Sequence, residues 1–242
     1  MDLALVSIPR LNIDAPPMGI ASIKASVAKH GYVAQCFDLN IDLYHTLTFD
    51  EWLEIDNYFQ TDLRYTGTSS KGAGTRSIDF IHIVEKRRLQ LKCFEKYHCF
   101  LNAKIDHIMS HKPKWVGVSI FSVNSVIATI NFLALLKQRY PEQRIVAGGM
   151  GLSSFGLGGA ANFGDFLVER GLIDTYVSGE GEYSILEILG GELQPRLSAQ
   201  TDILDDLPFA DYSDFNFTLY PGKENMIYIT GSRGCVRRCT FC

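Results

Sequence analysis

The sequence predicts an α/β fold, with five parallel strands in a doubly wound sheet, and two observations carry this prediction. First, the candidate strands are short runs that are apolar throughout, which is typical of strands buried on both faces. Second, segments with helical periodicity separate these runs, as in chains that alternate strand and crossover helix. The expected architecture is therefore Rossmann-like or flavodoxin-like, and ligands of such sheets bind beyond the carboxyl ends of the strands.

The first strand and helix are predicted near the N-terminus. Residues 3–8 form an apolar run that Pro9 closes. A Pro-Pro-Met-Gly segment at 16–19 then leads into an amphipathic stretch at 20–30, which Gly31 ends. Residues 33–38 read as the second strand, whose acidic last residue falls at the carboxyl edge.

The remaining strands follow a long interruption. They are predicted at 115–120, 144–147 and 174–177, with helices at 126–139, 163–170 and 183–189. Each strand ends in small or polar residues, where a ligand can approach the backbone.

Two segments do not fit a minimal crossover pattern. Residues 41–112 are too many for one connection and hold helical stretches at 49–59 and 78–109, so we expect a helical insertion. After residue 190 the periodicity fades into a polar connector at 191–222, and a strand at 226–230 opens a second domain. The predicted domains are thus 1–190 and, incomplete, 223–242.

Composition narrows the class of protein. The formal net charge is −4 and the basic clusters at 86–88 and 237–238 are short, so nucleic acid is not an expected partner. No apolar run reaches the ~18 residues of a membrane span, and the N-terminus lacks a signal-peptide pattern. Three of the six cysteines fall within the last eight residues, which is no disulfide framework. We expect a reducing, cytoplasmic setting without membrane association.

The strongest chemical motif is the Cys-x3-Cys-x2-Cys loop formed by Cys235, Cys239 and Cys242. Three thiolates on one tight loop can bind three irons of a [4Fe–4S] cluster and leave the fourth iron open. The alternative is a structural zinc loop, which normally uses Cys-x2-Cys pairs and a fourth ligand nearby. The spacing, the predicted preceding strand and the Ser-Arg-Gly lead-in favour the cluster.

This loop resembles that of the radical S-adenosylmethionine (SAM) superfamily. In that superfamily the open iron binds the amino and carboxylate groups of S-adenosylmethionine. Electron transfer then breaks a carbon–sulfur bond and releases a 5′-deoxyadenosyl radical. The resemblance implies that residues 223–242 begin a radical SAM barrel, and that this fragment alone is inactive and holds no catalytic residue.

The rest of the chain resembles the N-terminal domain of the cobalamin-binding radical SAM subclass. The matching stretches occur in the family's order: 16–20, 31–33, 38–40, 116–119, 146–149, 179–182 and 204–208. The resemblance implies cobalamin contacts from residues at the strand ends, namely Pro9, Leu39, Ser119, Phe121, Ser122, Val123, Gly148, Gly149, Met150, Gly151, Gly179, Glu180 and Gly181. It also implies methyl transfer to an unactivated carbon as the usual chemistry, with ring rearrangement and oxidative cyclisation as alternatives. The implied partners are a small-molecule or peptide substrate and an electron donor such as flavodoxin or ferredoxin.

The chain departs from the family pattern in two places. The Asp-x-His-x-x-Gly motif, whose His ligates cobalt, does not occur, so cobalamin would bind base-off without a protein imidazole. Gly-Gly-Met-Gly at 148–151 also replaces the usual Gly-Gly-Pro-His.

Two other classes of protein stay open. A non-catalytic cobalamin carrier would have no use for the cysteine loop. A methylthiotransferase-like radical SAM protein would need three further cysteines at strand ends, and Cys36, Cys93 and Cys99 are not so placed. We expect Cys36 to be a core thiol, and Glu180 and Glu182 to shape the pocket and cap the following helix.

Overall fold

A six-stranded, all-parallel sheet forms the centre of the structure. The computed structural model describes residues 1–9, 13–60, 80–153, 162–191, 196–199, 204–222, 226–233 and 239–240. Its strands are β1 (Leu3–Ser7), β2 (Ala34–Asp38), β3 (Trp115–Ser119), β4 (Arg144–Gly148), β5 (Thr175–Gly179) and β6 (Arg196–Ala199). They lie across the sheet in the order β2-β1-β3-β4-β5-β6. The predicted doubly wound, Rossmann-like α/β fold is confirmed.

Helices cover both faces of the sheet. They are α1 (Met18–Lys29), α2 (Leu39–Thr46), α3 (Phe49–Phe59), α4 (Phe80–Arg88), α5 (Phe94–Ser110), α6 (Val126–Arg139), α7 (Phe163–Glu169) and α8 (Gly181–Leu189). Buried residues of α1 and α8 share one hydrophobic core, whereas those of α3, α5, α6 and α7 share the other. No helix in the described ranges is long and apolar enough to cross a membrane.

Strand β1 shows why the strand sequences are apolar at every position rather than at every second position. Leu3 and Leu5 belong to the core beneath α1 and α8, and Ala4 and Val6 belong to the opposite core. Successive side chains of a strand point to opposite faces, so a strand covered on both faces buries every position. All five residues of β1 are buried.

In its described residues the predicted insertion at 41–112 is helical, with α3, α4, α5 and most of α2. The long helix expected at 78–109 is two helices, because the chain turns between them and the Lys92 amide donates to the Glu54 carboxylate (2.5 Å). Asn131 of α6 anchors the block: its amide donates to the hydroxyls of Tyr58 (2.9 Å) and Tyr97 (3.4 Å). The glycine-rich stretch at 66–74 lies outside the described residues.

Two expectations about the C-terminal third need correction. The sheet has a sixth strand, β6, which pairs with β5 inside the segment expected to be a connector. Conversely, the prediction of a strand at 226–230 is wrong, because these residues form no strand. The side chains of Met226 to Ile229 are 38% to 76% exposed. A strand requires a hydrogen-bonded neighbour, and the described part of the chain offers none here.

The connector at 204–222 packs across α1 and reaches the end of β2. Lys24 of α1 forms ion pairs with Asp214 (2.7 Å) and Asp211 (3.3 Å). Further along, the Tyr220 hydroxyl donates to the Asp38 carboxylate (2.8 Å). These contacts fix the segment that leads toward the cysteine loop.

Candidate cofactor-binding site

A cavity of about 360 Å³ opens at the carboxyl ends of the strands, between the sheet and helices α1 and α8. Its floor is apolar and is formed by Leu5, Gly117, Val146 and Val177, one residue from each of four strands. Its walls come from α1 and from the start of α8, including Ile23 and Ile185. The volume lies near the lower end of the ~300–1,000 Å³ range of small-molecule sites.

Seven of the strand-end residues predicted to bind the cofactor line this one cavity. They are Ser119, Gly148, Gly149, Met150, Gly179, Glu180 and Gly181. They come together because the parallel strands β3, β4 and β5 all end at the same edge of the sheet. Their contact with cobalamin stays a prediction.

The other predicted contact residues do not line the cavity. Pro9 is buried after β1, and Leu39 is buried at the start of α2. The segment Phe121, Ser122 and Val123 leaves β3 away from the cavity, and Phe121 is 56% exposed. Gly151 instead packs against Ile120, whose backbone oxygen accepts its amide (2.9 Å).

The two adjacent glycines at the end of β4 differ in what surrounds them. A Cβ added to Gly148 would meet nothing within 4 Å, so this position faces the open cavity. Gly149 has a φ of +106°, and its added Cβ would lie 2.5 Å from the Ile120 carbonyl oxygen. Gly148 therefore leaves room for a ligand, and Gly149 allows the close approach of two backbone segments.

Several lining residues were not found by reasoning from the sequence. Met18, Gly19, Ser22 and Ile23 line the cavity from α1, although the Pro-Pro-Met-Gly motif marks where that helix starts. Arg233 also lines it, from the lead-in to the cysteine loop. No spacing rule could pair Arg233 with a residue 51 positions away.

Arg233 bridges the two glutamates at the start of α8. Its guanidinium donates to the Glu182 carboxylate (2.5 Å) and lies 3.4 Å from the Glu180 carboxylate. The bond with Glu182 raises the pKa of Arg233, which stays a cation. Glu180 precedes α8 but makes no side-chain capping bond, so the expected cap is replaced by this ion pair.

Residues 226–233, which we call the docked segment, also contact the body of the protein at Thr230 and Tyr228. The Thr230 hydroxyl lies 3.3 Å from the sulfur of Met18, a cavity-lining residue. The Tyr212 hydroxyl donates to the Tyr228 carbonyl (2.9 Å). The segment therefore runs next to the cavity before it enters the cysteine loop.

Three polar side chains lie at the carboxyl edge of the sheet beside the cavity. They belong to the last residues of β2, β1 and β3, namely Asp38, Ser7 and Ser119, which are in register with one another and with Gly148 at the end of β4. Burial raises the pKa of the Asp38 carboxyl to about 6, against the opposing effect of the Tyr220 hydrogen bond. The Ser7 hydroxyl is buried and has no hydrogen-bond partner among the residues that the structure describes.

The cysteines divide into a core group and the C-terminal loop. Cys36 is buried in β2 as expected, and burial raises the pKa of its thiol well above the usual range. Cys93 is buried and Cys99 is exposed, so they do not converge. In the loop, Cys239 is exposed, whereas Cys235 and Cys242 lie outside the described residues. The described ranges hold no cluster of three potential metal ligands.

Known proteins offer few similarities to this chain. No family model matches it, and no curated protein matches it. The radical S-adenosylmethionine methyltransferase TsrM from Kitasatospora setae, with tryptophan substrate and a SAM analogue bound, superposes with a TM-score of 0.41 at 13% identity, over 78% of this chain and 25% of that one. The same enzyme with cobalamin and a [4Fe–4S] cluster bound superposes with a TM-score of 0.38 at 16% identity, over 78% of this chain and 24% of that one. The chain spans about a quarter of that enzyme's length.

Proposed function

We propose that the chain is the cobalamin-binding region of a radical SAM enzyme that transfers a methyl group to an unactivated carbon of a small molecule or peptide. The observation that carries the proposal is the apolar cavity at the carboxyl ends of β1, β3, β4 and β5. Its wall is bonded through Arg233 to the lead-in of the Cys-x3-Cys-x2-Cys loop. The wall of an apolar cavity is thus in contact with the residue two positions before the first cysteine of a cluster motif.

The cavity suits the apolar part of a base-off cobalamin. A whole cobalamin exceeds 360 Å³, so the cavity would hold only part of the cofactor. Gly148 leaves the entrance open, and Leu5, Val146 and Val177 provide the apolar floor. Met150 is 76% exposed at the end of β4 and offers an apolar contact at the rim.

Among the described residues that line the cavity there is no histidine, so we propose no protein ligand to cobalt. Bound cobalamin supplies the methyl group, and the cluster with S-adenosylmethionine supplies the radical. The chain's own contribution is to hold these groups: the helices α1 and α8 exclude water from the floor, and Cys235, Cys239 and Cys242 provide thiolates for iron.

Titration with hydroxocobalamin tests the cavity. The visible spectrum of the cofactor should change on binding to the wild-type chain. Gly148→Leu should abolish the change, because the new side chain projects into the open cavity without meeting other atoms at its Cβ. Gly148→Ala should weaken binding less. Thermal unfolding of each variant checks that the fold is kept, and binding that Gly148→Leu leaves intact would contradict the placement.

Anaerobic reconstitution with iron and sulfide tests the cysteine loop. We expect broad visible absorption from a [4Fe–4S] cluster, lost in the Cys235→Ala, Cys239→Ala, Cys242→Ala triple variant. Stoichiometric zinc uptake at these cysteines, without cleavage of S-adenosylmethionine under strong reductant, would refute the radical SAM assignment. Cobalamin binding with no iron uptake would favour the carrier class.

A further inference from the structure

Arg233 makes the charged contacts that attach the docked segment to the cavity wall. Thr230 adds a weak contact to the Met18 sulfur, and the Tyr228 carbonyl accepts a neutral hydrogen bond from Tyr212. Arg233, in contrast, makes charge-assisted contacts to two carboxylates. Hydrogen bonds to charged groups are roughly twice as strong as neutral ones, so Arg233 makes the strongest of these polar contacts.

Glu182 is the partner that makes the attachment costly to break. It is 5% exposed, and it lies in the first turn of α8. Removal of the cation would leave a buried carboxylate without its countercharge, which is strongly unfavourable. The guanidinium contacts Glu180 through Nη1 and Glu182 through Nη2, and its planar, rigid fork fixes the two contacts relative to each other.

The start of α8 is also a wall of the cavity. Gly181 lines the cavity, and a Cβ added there would lie 2.8 Å from Cδ1 of Ile23 on α1. The two helices therefore touch tightly beside Glu182. A ligand that moves these helices apart or holds them together therefore also affects the position of Glu182, which Arg233 binds.

We propose that Arg233 is a positioning residue that holds the start of the cysteine loop against the cavity wall, so that filling the cavity and ordering the docked segment are coupled. Arg233 precedes Cys235 by two residues, which span at most about 7 Å. Such coupling is reciprocal, since whatever orders the segment also favours the occupied cavity. This inference rests on the proposed function.

Hydrogen exchange without ligand tests the attachment itself. Arg233→Gln should speed exchange of the amides at 228–233 by about tenfold, the effect expected from losing a hydrogen bond to a charged group. Adding Glu182→Gln to this variant should cause little further increase, because both changes remove the same contact. Arg139→Gln is the matched control, since Arg139 pairs with Asp106 on α5, away from the cavity. Unchanged exchange in Arg233→Gln would overturn the positioning role.

The same measurement with hydroxocobalamin tests the coupling. In the wild-type chain the ligand should slow exchange at 228–233 by about fivefold, and in Arg233→Gln it should bind with little such protection. Binding that leaves wild-type exchange unchanged would overturn the coupling and leave the cobalamin proposal standing. Absence of any spectral change in the wild type would overturn the coupling and the proposed function, whereas the ligand-free comparison still decides the role of Arg233.

Discussion

Asp38→Asn is expected to stabilise the protein at neutral pH and to do so less as the pH falls. The carboxyl is 8% exposed, and its burial raises the pKa to about 6 from 3.8. The folded state therefore binds more protons than the unfolded state between about pH 4 and pH 6, so the free energy of unfolding falls as pH rises through this window. A difference of about two pKa units corresponds to about 3 kcal/mol. Asparagine carries no charge to desolvate and avoids this cost.

Urea denaturation of the wild type and the variant from pH 4 to pH 8 measures the effect. The variant should gain about 2–3 kcal/mol at pH 8 and almost nothing at pH 4. Tyr220→Phe is the companion change: loss of the 2.8 Å hydrogen bond to the charged carboxylate should cost more at pH 8 than at pH 4. A pH-independent difference between wild type and Asp38→Asn would refute the reasoning, because other carboxylates titrate equally in both proteins.

Three further changes test other parts of the structure by denaturant or thermal unfolding. Asn131→Leu should cost about 1–3 kcal/mol, since Tyr58 and Tyr97 lose a buried donor, and an unchanged midpoint would contradict the anchoring of the helical insertion. Lys24→Met should cost about 2–3 kcal/mol by leaving Asp211 and Asp214 unpaired, and should speed hydrogen exchange of the connector. Gly149→Ala should destabilise the fold and Gly148→Ala should not, because a Cβ meets a carbonyl oxygen in the first case only.

The strands could be predicted from the sequence because their signal is local. An apolar run such as Val116 to Val118 is continuous only where both faces of a sheet are covered, and this property needs no knowledge of distant residues. The strand ends converge because the strands are parallel, and Ser119, Gly148 and Gly179 therefore line one cavity. Strand β6 was missed because Arg196 to Ala199 is short, partly polar and at the sheet edge.

The rest of the site depends on contacts between residues that are far apart in sequence. Arg233 reaches Glu182 across 51 positions, and Tyr220 reaches Asp38 across 182. No periodicity or spacing carries such information. The sequence also does not show that Gly148, rather than Gly149, faces the cavity. This difference depends on the φ angle of Gly149 and on the nearby Ile120 backbone.

The path of the connector also affects how the sheet can come apart. The chain leaves the sheet from β6 at one edge and contacts Asp38 of β2 at the other, after crossing α1 at Lys24. With strands about 4.8 Å apart, this path spans roughly 24 Å, and the connector crosses the face of the sheet that carries the cavity. Because the connector links the two edge strands, one of them cannot detach without disturbing the contacts of the other. We therefore expect both edges to lose protection from hydrogen exchange together, as one cooperative unit.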